Sequence, residues 1–202
     1  MKTALDTPEY WDNRYISGES AWDLKTPTPI FSDILKENKI IQPGKLIILG
    51  AGKGYNAIEA AKFGYKVTAI EFSKSAVDFG KSLADNEKIK VKFFAEDFFE
   101  LSESHFENYD AVFDYVTYCA INPERRDEYA KLVASLLKPG GKFVIILFPV
   151  EERPGGPPFA VNQKEAEEYF SKYLRLILST EKINSIKPRR GREILQVYQK
   201  QI

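Results

Sequence analysis

The stretch 46-LIILGAGKGYNAIEAAKFGYKVTAIEFS-73 runs from four apolar residues into three alternate glycines. A short amphipathic segment follows, and then a second apolar run closing on Glu71. A strand, a glycine turn, a helix and a strand are the parts of a βαβ unit. Glycines at the first strand's end allow unusual dihedrals and let a ligand approach the backbone. An acid about twenty residues on stands where a ribose is held. Gly50, Gly52 and Gly54 do not form the phosphate loop G-x-x-x-x-G-K-[ST], which the chain lacks. Counted from Gly50 and Gly52, the dinucleotide pattern G-x-G-x-x-G/A also fails, because Tyr55 occupies its last position. The spacing suits a nucleoside cofactor without a pyrophosphate. On its own it also suits a tight turn followed by a surface acid.

The same alternation extends along the chain. Strands are expected near 45–49, 66–71, 90–95, 110–116 and 142–148, and helices near 28–37, 54–63, 74–86, 123–138 and 162–173. In 123–138 Tyr129, Leu132, Val133, Leu136 and Leu137 recur at helical spacing; Asn122-Pro123 opens the segment and 138-KPGG-141 stops it. The runs 46-LIIL-49 and 143-FVIILF-148 are apolar throughout, as in parallel strands covered on both faces. The segments 174-LRLILSTEKI-183 and 193-EILQVYQK-200 have only the turn 187-KPRRG-191 between them, which implies an antiparallel pair. The fold class is therefore α/β: a doubly wound, Rossmann-like, mostly parallel sheet with an antiparallel last strand. One domain is expected over 1–202, with a leader at 1–27 and a core at 28–202. The Gly/Pro cluster 149-PVEERPGGPPFAV-161 follows the fifth strand, where open parallel sheets carry ligand loops.

Composition narrows the function. Lys plus Arg and Asp plus Glu number 29 each, so no global field favours nucleic acid or an anionic membrane. The longest apolar run is a strand's length, and no signal-peptide core opens the chain. The single cysteine, Cys119, excludes an internal disulfide and fits a reducing cytoplasm. Within YVTYCAI it reads as a buried small apolar residue. His105, with no ligand cluster around it, reads as a surface loop residue, and no metal site is expected. A small-molecule substrate and a monomeric state are expected, with no nucleic-acid or membrane partner.

Further along, 95-AEDFFE-100 ends the third strand with Asp97, able to accept from an adenine amine or to cap a helix, and with Phe98 beside it. Glycine turn, ribose acid, adenine-side acid and KPGG turn, in that order, resemble the class I S-adenosylmethionine-dependent methyltransferases. The runs 11-WDNRYISGESAWDLKTPTPIF-31, 110-DAVFDYVTYCAINPERR-126, 148-FPVEERPGGPPFAV-161 and 189-RRGRE-193 are more specific. They resemble the thiopurine S-methyltransferase family, most closely its thiol and halide methyltransferase branch, over nearly the whole chain.

That resemblance implies seven strands and an enzyme that uses S-adenosyl-L-methionine and releases S-adenosyl-L-homocysteine. It implies cofactor contacts from Trp11, Tyr15, Trp22, Gly50, Gly52, Glu71, Asp97, Phe98 and Tyr115, the leader forming a lid. Aromatic faces suit a sulfonium and shield it from water. Tyr118, Phe148, Phe159 and Arg189 are expected on the substrate side, where Tyr115 also counts as a candidate, Arg189 competing with a reading as a solvated hairpin turn. The expected acceptor is a small soft nucleophile: thiol, hydrosulfide, thiocyanate, halide or thiopurine. Alternatives are a tellurium or selenium oxyanion, an O- or N-acceptor, or a non-catalytic cofactor-binding module. Some relatives have Tyr-Pro where this chain has Phe148-Pro149, so a phenol sometimes assigned to thiol activation is missing. No catalytic residue is assigned, because positioning an already ionised nucleophile needs no strong base.

Overall fold

The computed structural model describes residues 3–202. Two compact units follow one another along the chain, one ending at Leu101 and one beginning at Ser102. In the first, β1 (Lys45–Leu49), β2 (Lys66–Glu71) and β3 (Lys92–Ala95) pair in parallel, Leu49 opposite Ile70 and Glu71 opposite Ala95. Leu46, Ile47 and Leu49 are wholly buried, which is what an unbroken apolar run requires of its surroundings. Helices α3 (Tyr55–Lys62) and α4 (Lys74–Glu87) make the crossovers, and α2 (Pro29–Glu37) buries Ile30, Phe31, Ile34 and Leu35 along one face.

Ahead of them stands α1 (Pro8–Ser17), a helix within the leader that periodicity does not announce. None of its residues is fully buried, so it carries no apolar stripe. Its start at Pro8 and its stop at Gly18, with φ +78, are ordinary helix punctuation. Residues 1 and 2 of the expected leader lie outside the described residues.

In the second unit β4 (Tyr109–Tyr115) pairs in parallel with β5 (Leu137–Leu147). Helix α5 (Arg126–Leu136) joins them, and α6 (Gln163–Ser171) leads into β6 (Arg175–Thr180). The final strand β7 (Ile194–Gln199) runs antiparallel to both β5 and β6. In strand order the sheet reads β3-β2-β1-β4-β5-β7-β6, the expected seven-stranded α/β sheet with an antiparallel last strand.

The expected helix over 123–138 is shorter. A 3-10 turn, Pro123–Arg125, is capped by Asn122, whose side chain accepts from the Glu124 amide, and α5 follows. Leu137 already belongs to β5, which takes in the KPGG expected as a stop. Gly140, at φ +77, lies where the β4–β5 register slips between Tyr109 and Ala111, so the turn residues make an irregularity inside a strand.

Candidate active site

The first unit gathers the nucleoside-binding candidates. Gly50, Gly52 and Gly54 all have positive φ, between +56 and +79, as the chain leaves β1 for α3. The Gly52 amide donates to Glu71 Oε2 at 2.8 Å and the Ser73 amide donates to Oε1 at 2.9 Å. Glu71 is thus buried and oriented rather than a surface acid. Burial pushes its carboxyl up, and the backbone donors oppose that shift. Each oxygen keeps lone-pair capacity for a further donor, as a ribose diol would supply. Gly54 has a different reason for its missing side chain than ligand approach: a Cβ there would lie 2.5 Å from the Phe93 ring.

A cleft of about 550 Å³ opens beyond β2 and β3, lined by Asp6, Pro8, Phe72, Lys74, Ala95, Glu96, Asp97 and Glu100. Asp97 both lines the cleft and caps the 3-10 turn Phe98–Glu100, its Oδ1 accepting from the Phe99 amide at 2.9 Å. Phe98 packs on Phe99 with ring centroids 4.7 Å apart, while Phe72 is the aromatic lining the cleft.

The leader lies against the glycine turn after β1. Trp11 and Tyr15 are four residues apart on α1 and so share a face. The Trp22 ring meets each of them edge-on at 5.6 Å, and Trp22 Nε1 donates to the Tyr15 hydroxyl at 3.0 Å. Two carboxylates tie the leader down. Asp12 accepts from Ser73 Oγ at 2.6 Å and from the Ser75 amide at 2.8 Å, which holds its carboxyl below the usual carboxylate range. Asp23 pairs with Lys53 of the glycine turn at 2.9 Å, and the Lys53 ammonium stands over the rings of Phe79 and Tyr15.

The second unit holds the remaining candidates. The Tyr115 hydroxyl donates to Glu193 Oε1 at 2.8 Å, and Ser185 Oγ donates to the other oxygen. The Arg189 guanidinium lies 4.9 Å above the Tyr115 ring and 4.8 Å above Phe148. It is 6% exposed, so Arg189 is a buried cation and not a solvated turn residue. Arg192 covers Phe148 at 5.2 Å and pairs bidentately with Glu151, tying the Gly/Pro loop to the turn before β7.

Tyr118 is placed elsewhere: its ring packs on Tyr129, Phe170 and the Arg126 guanidinium, in the core. The Phe159 amide donates to the Cys119 carbonyl at 2.7 Å, and its ring fills the space beside Gly156. Cys119 is buried as expected, and burial pushes its thiol up to about 12. His105 differs from expectation. It ends a 3-10 turn, is half-buried, and shares a 2.7 Å hydrogen bond with the Tyr109 hydroxyl.

Sequence reasoning missed Asp12, Phe72, Glu193 and Asp114. Asp114 interrupts the apolar β4 and is fully buried, a signal that could have been followed. Among the described residues no group of three or more His, Cys, Asp or Glu side chains could hold a metal ion, and no helix is long and apolar enough to cross a membrane.

Comparison with known proteins identifies the family. The family model for thiopurine S-methyltransferase matches residues 6–201. A probable thiol methyltransferase 2 of Arabidopsis thaliana is 34% identical over 161 residues, covering 78% of this chain and 70% of the relative. Thiocyanate methyltransferase 1 of Brassica oleracea is 29% identical over 193 residues, covering 94% and 84%. Among solved structures, a Burkholderia thailandensis 1,6-didemethyltoxoflavin-N1-methyltransferase with bound 1,6-didemethyltoxoflavin and S-adenosylhomocysteine shares the fold. Its TM-score is 0.76 at 20% identity, over 96% of this chain and 87% of that one. The chain belongs to the thiopurine S-methyltransferase family and is, by that membership, an S-adenosylmethionine-dependent methyltransferase.

Proposed function

We propose that this methyltransferase acts on a small, soft nucleophile: a thiol, hydrosulfide, thiocyanate or halide. The observation that carries this reading is the buried Arg189 guanidinium set against the rings of Tyr115 and Phe148. A cation flanked by aromatic faces suits a polarisable anion stripped of water better than a strongly hydrated one. The names of the thiol and thiocyanate relatives support the same class.

S-adenosylmethionine, when bound, would supply a sulfonium methyl whose carbon an acceptor lone pair attacks, the electrons of the broken carbon–sulfur bond staying on the departing thioether sulfur. The chain's own residues have four tasks. Glu71, held by the amides of Gly52 and Ser73, accepts from the ribose hydroxyls, and Asp97 accepts from the adenine amine. Trp11, Tyr15 and Trp22 cover the reacting end as a lid and exclude water. Gly50 lets the nucleoside lie close to the backbone, and Gly52 steadies Glu71 through its amide. Arg189, Tyr115 and Phe148 receive the acceptor.

No side chain needs to take a proton. A thiol ionises near ~8.5 unaided, and thiocyanate and halides are already anions. Burial holds the Tyr115 phenol well above its ordinary value, so it does not serve as a base near neutrality. The single buried Cys119 is consistent with work in a reducing cytoplasm.

The test is a panel of sulfide, thiocyanate, iodide, aryl thiols and thiopurine, with a phenol, an amine and tellurite as comparators, ranked by kcat/KM. The expected ranking places the soft sulfur and halide acceptors first. A phenol, amine or oxyanion turned over best would overturn the reading.

A further inference from the structure

At the end of β4, Val116 has φ +66. That left-handed region crowds Cβ against the following carbonyl, and a β-branched side chain makes the crowding worse. Of the described non-glycine residues with positive φ, Lys25 and Glu107 are exposed turn residues, and Asn38 and Lys88 cap helices. Val116 alone among them is branched at Cβ, and it alone follows directly on a candidate site residue, Tyr115.

The strained turn is held in place by Asp114, two residues earlier. That carboxylate is 0% exposed. Its Oδ1 accepts from the Thr117 amide at 2.9 Å, and its Oδ2 accepts from the Tyr118 amide at 3.1 Å and the Tyr129 hydroxyl at 2.7 Å. Both amides after the left-handed residue are therefore drawn back onto the strand they have just left. The Thr117 carbonyl then accepts from the amides of Ala120 and Ile121, so the reversal runs into a closed turn. The turn sends neighbouring tyrosines different ways. Tyr115 stays with Glu193 and Arg189, and Tyr118 enters the core against Tyr129 and Phe170. Glycine would form the same backbone without the clash. Strain of this kind persists where surrounding structure over-determines it, and it concentrates at functional sites.

We infer that the left-handed turn at Val116, pinned by the buried Asp114 carboxylate, fixes the direction of Tyr115 in the acceptor group. Asp114 and Val116 are positioning residues that act through Tyr115. The inference rests on the reading that Tyr115, Arg189 and Phe148 receive the acceptor.

Three variants test it: Val116→Gly, Asp114→Asn and the double change. Each is followed by thermal unfolding, by kcat and KM for thiocyanate or a thiol, and by calorimetric affinity for S-adenosylhomocysteine. Val116→Gly relieves the clash and frees the turn. Its Tm is expected to hold or rise while kcat/KM for the acceptor falls about 10- to 100-fold, as for a misplaced contact. Cofactor affinity should stay unchanged. Asp114→Asn turns an amide N–H toward a backbone N–H and should lower both Tm and kcat/KM. In the double variant glycine should recover part of that Tm and none of the activity. Wild-type kcat/KM in Val116→Gly, or a fall in cofactor affinity equal to the fall in activity, would overturn the positioning role. A Tm lowered by Val116→Gly, or Tm changes that simply add, would overturn the pinned strain, and that arm needs no acceptor. Failure of the wild-type chain to turn over any soft nucleophile would instead remove the functional reading itself.

Discussion

The Tyr15 hydroxyl oxygen stands 2.9 Å from the point that a Cβ on Gly52 would occupy. A residue of the leader helix thus fills the space that the middle glycine of the β1–α3 turn leaves open, while the Gly52 amide holds Glu71. Gly52→Ala should disturb both contacts. At φ +56 an alanine is strained by about 1–2 kcal/mol, and its methyl pushes Tyr15 off Trp22. The expected outcome is a lower Tm and a shifted tryptophan emission. Unchanged emission would mean that Tyr15 does not rest on the turn.

Trp11 and Trp22 are the only tryptophans in the chain, so their fluorescence reports on the leader alone. Asp12 latches that leader to the start of α4 through Ser73 and Ser75. Asp12→Asn should weaken the latch by about 1 kcal/mol, as for loss of a helix-capping carboxylate. Hydrogen exchange over residues 8–17 should then speed up, and S-adenosylhomocysteine should slow exchange across 8–27 in the wild type. The latch should also fail in acid. The folded carboxyl is lowered, so its contribution is present above the unfolded value near ~3.8 and is lost as pH falls through the lower folded value. Tryptophan emission constant from pH 8 to 5 and red-shifting below about 4 is expected; a change centred near neutrality would contradict the latch.

Glu71→Ala removes the proposed ribose acceptor. Calorimetry should find S-adenosylmethionine binding weakened by roughly 1–3 kcal/mol, the range for hydrogen bonds to a charged group. NAD should not bind to either form. Equal affinity in variant and wild type would place the nucleoside elsewhere.

Asp114 gives stability the opposite dependence on pH. Burial raises its carboxyl from 3.8 to about 6, against the opposing donors Tyr129, Thr117 and Tyr118. The folded state binds the proton more tightly, so the stability linked to this proton is full below 3.8 and is lost as pH rises through about 6, an effect of about 3 kcal/mol at most. Tyr129→Phe removes a hydrogen bond to the charged form and should move the window upward. Denaturant unfolding from pH 4 to 8, wild type against variant, reads this difference; identical profiles would show that Asp114 is not the group involved.

Much of the sheet was legible because its signals are local. The apolar runs of β1 and β5, the cap Asn122 and the glycines after β1 each act within a few residues. The Gly52–Glu71 relation was legible as spacing, since a βαβ unit fixes the distance between its turns. The α1 helix was not, because its contacts are half-buried aromatics and one carboxylate instead of an apolar stripe. Glu193 was not either: it lies 78 residues from Tyr115, and only the antiparallel insertion of β7 beside β5 brings them together. Arg189 looked equally like a hairpin residue, since its burial depends on Tyr115 and Phe148 from distant segments.

The central claim is methyl transfer to an already ionised soft nucleophile, with no enzyme base. It is tested most directly by the pH dependence of kcat/KM for two acceptors, an alkyl thiol and iodide. With the thiol the rate should rise with pH, following thiolate formation near ~8.5. With iodide, an anion throughout, it should be flat from pH 7 to 9: burial pushes Cys119 up to about 12, and raises the Tyr115 phenol, clear of that window. A bell-shaped iodide profile that one ionisable-residue substitution abolishes would contradict the account.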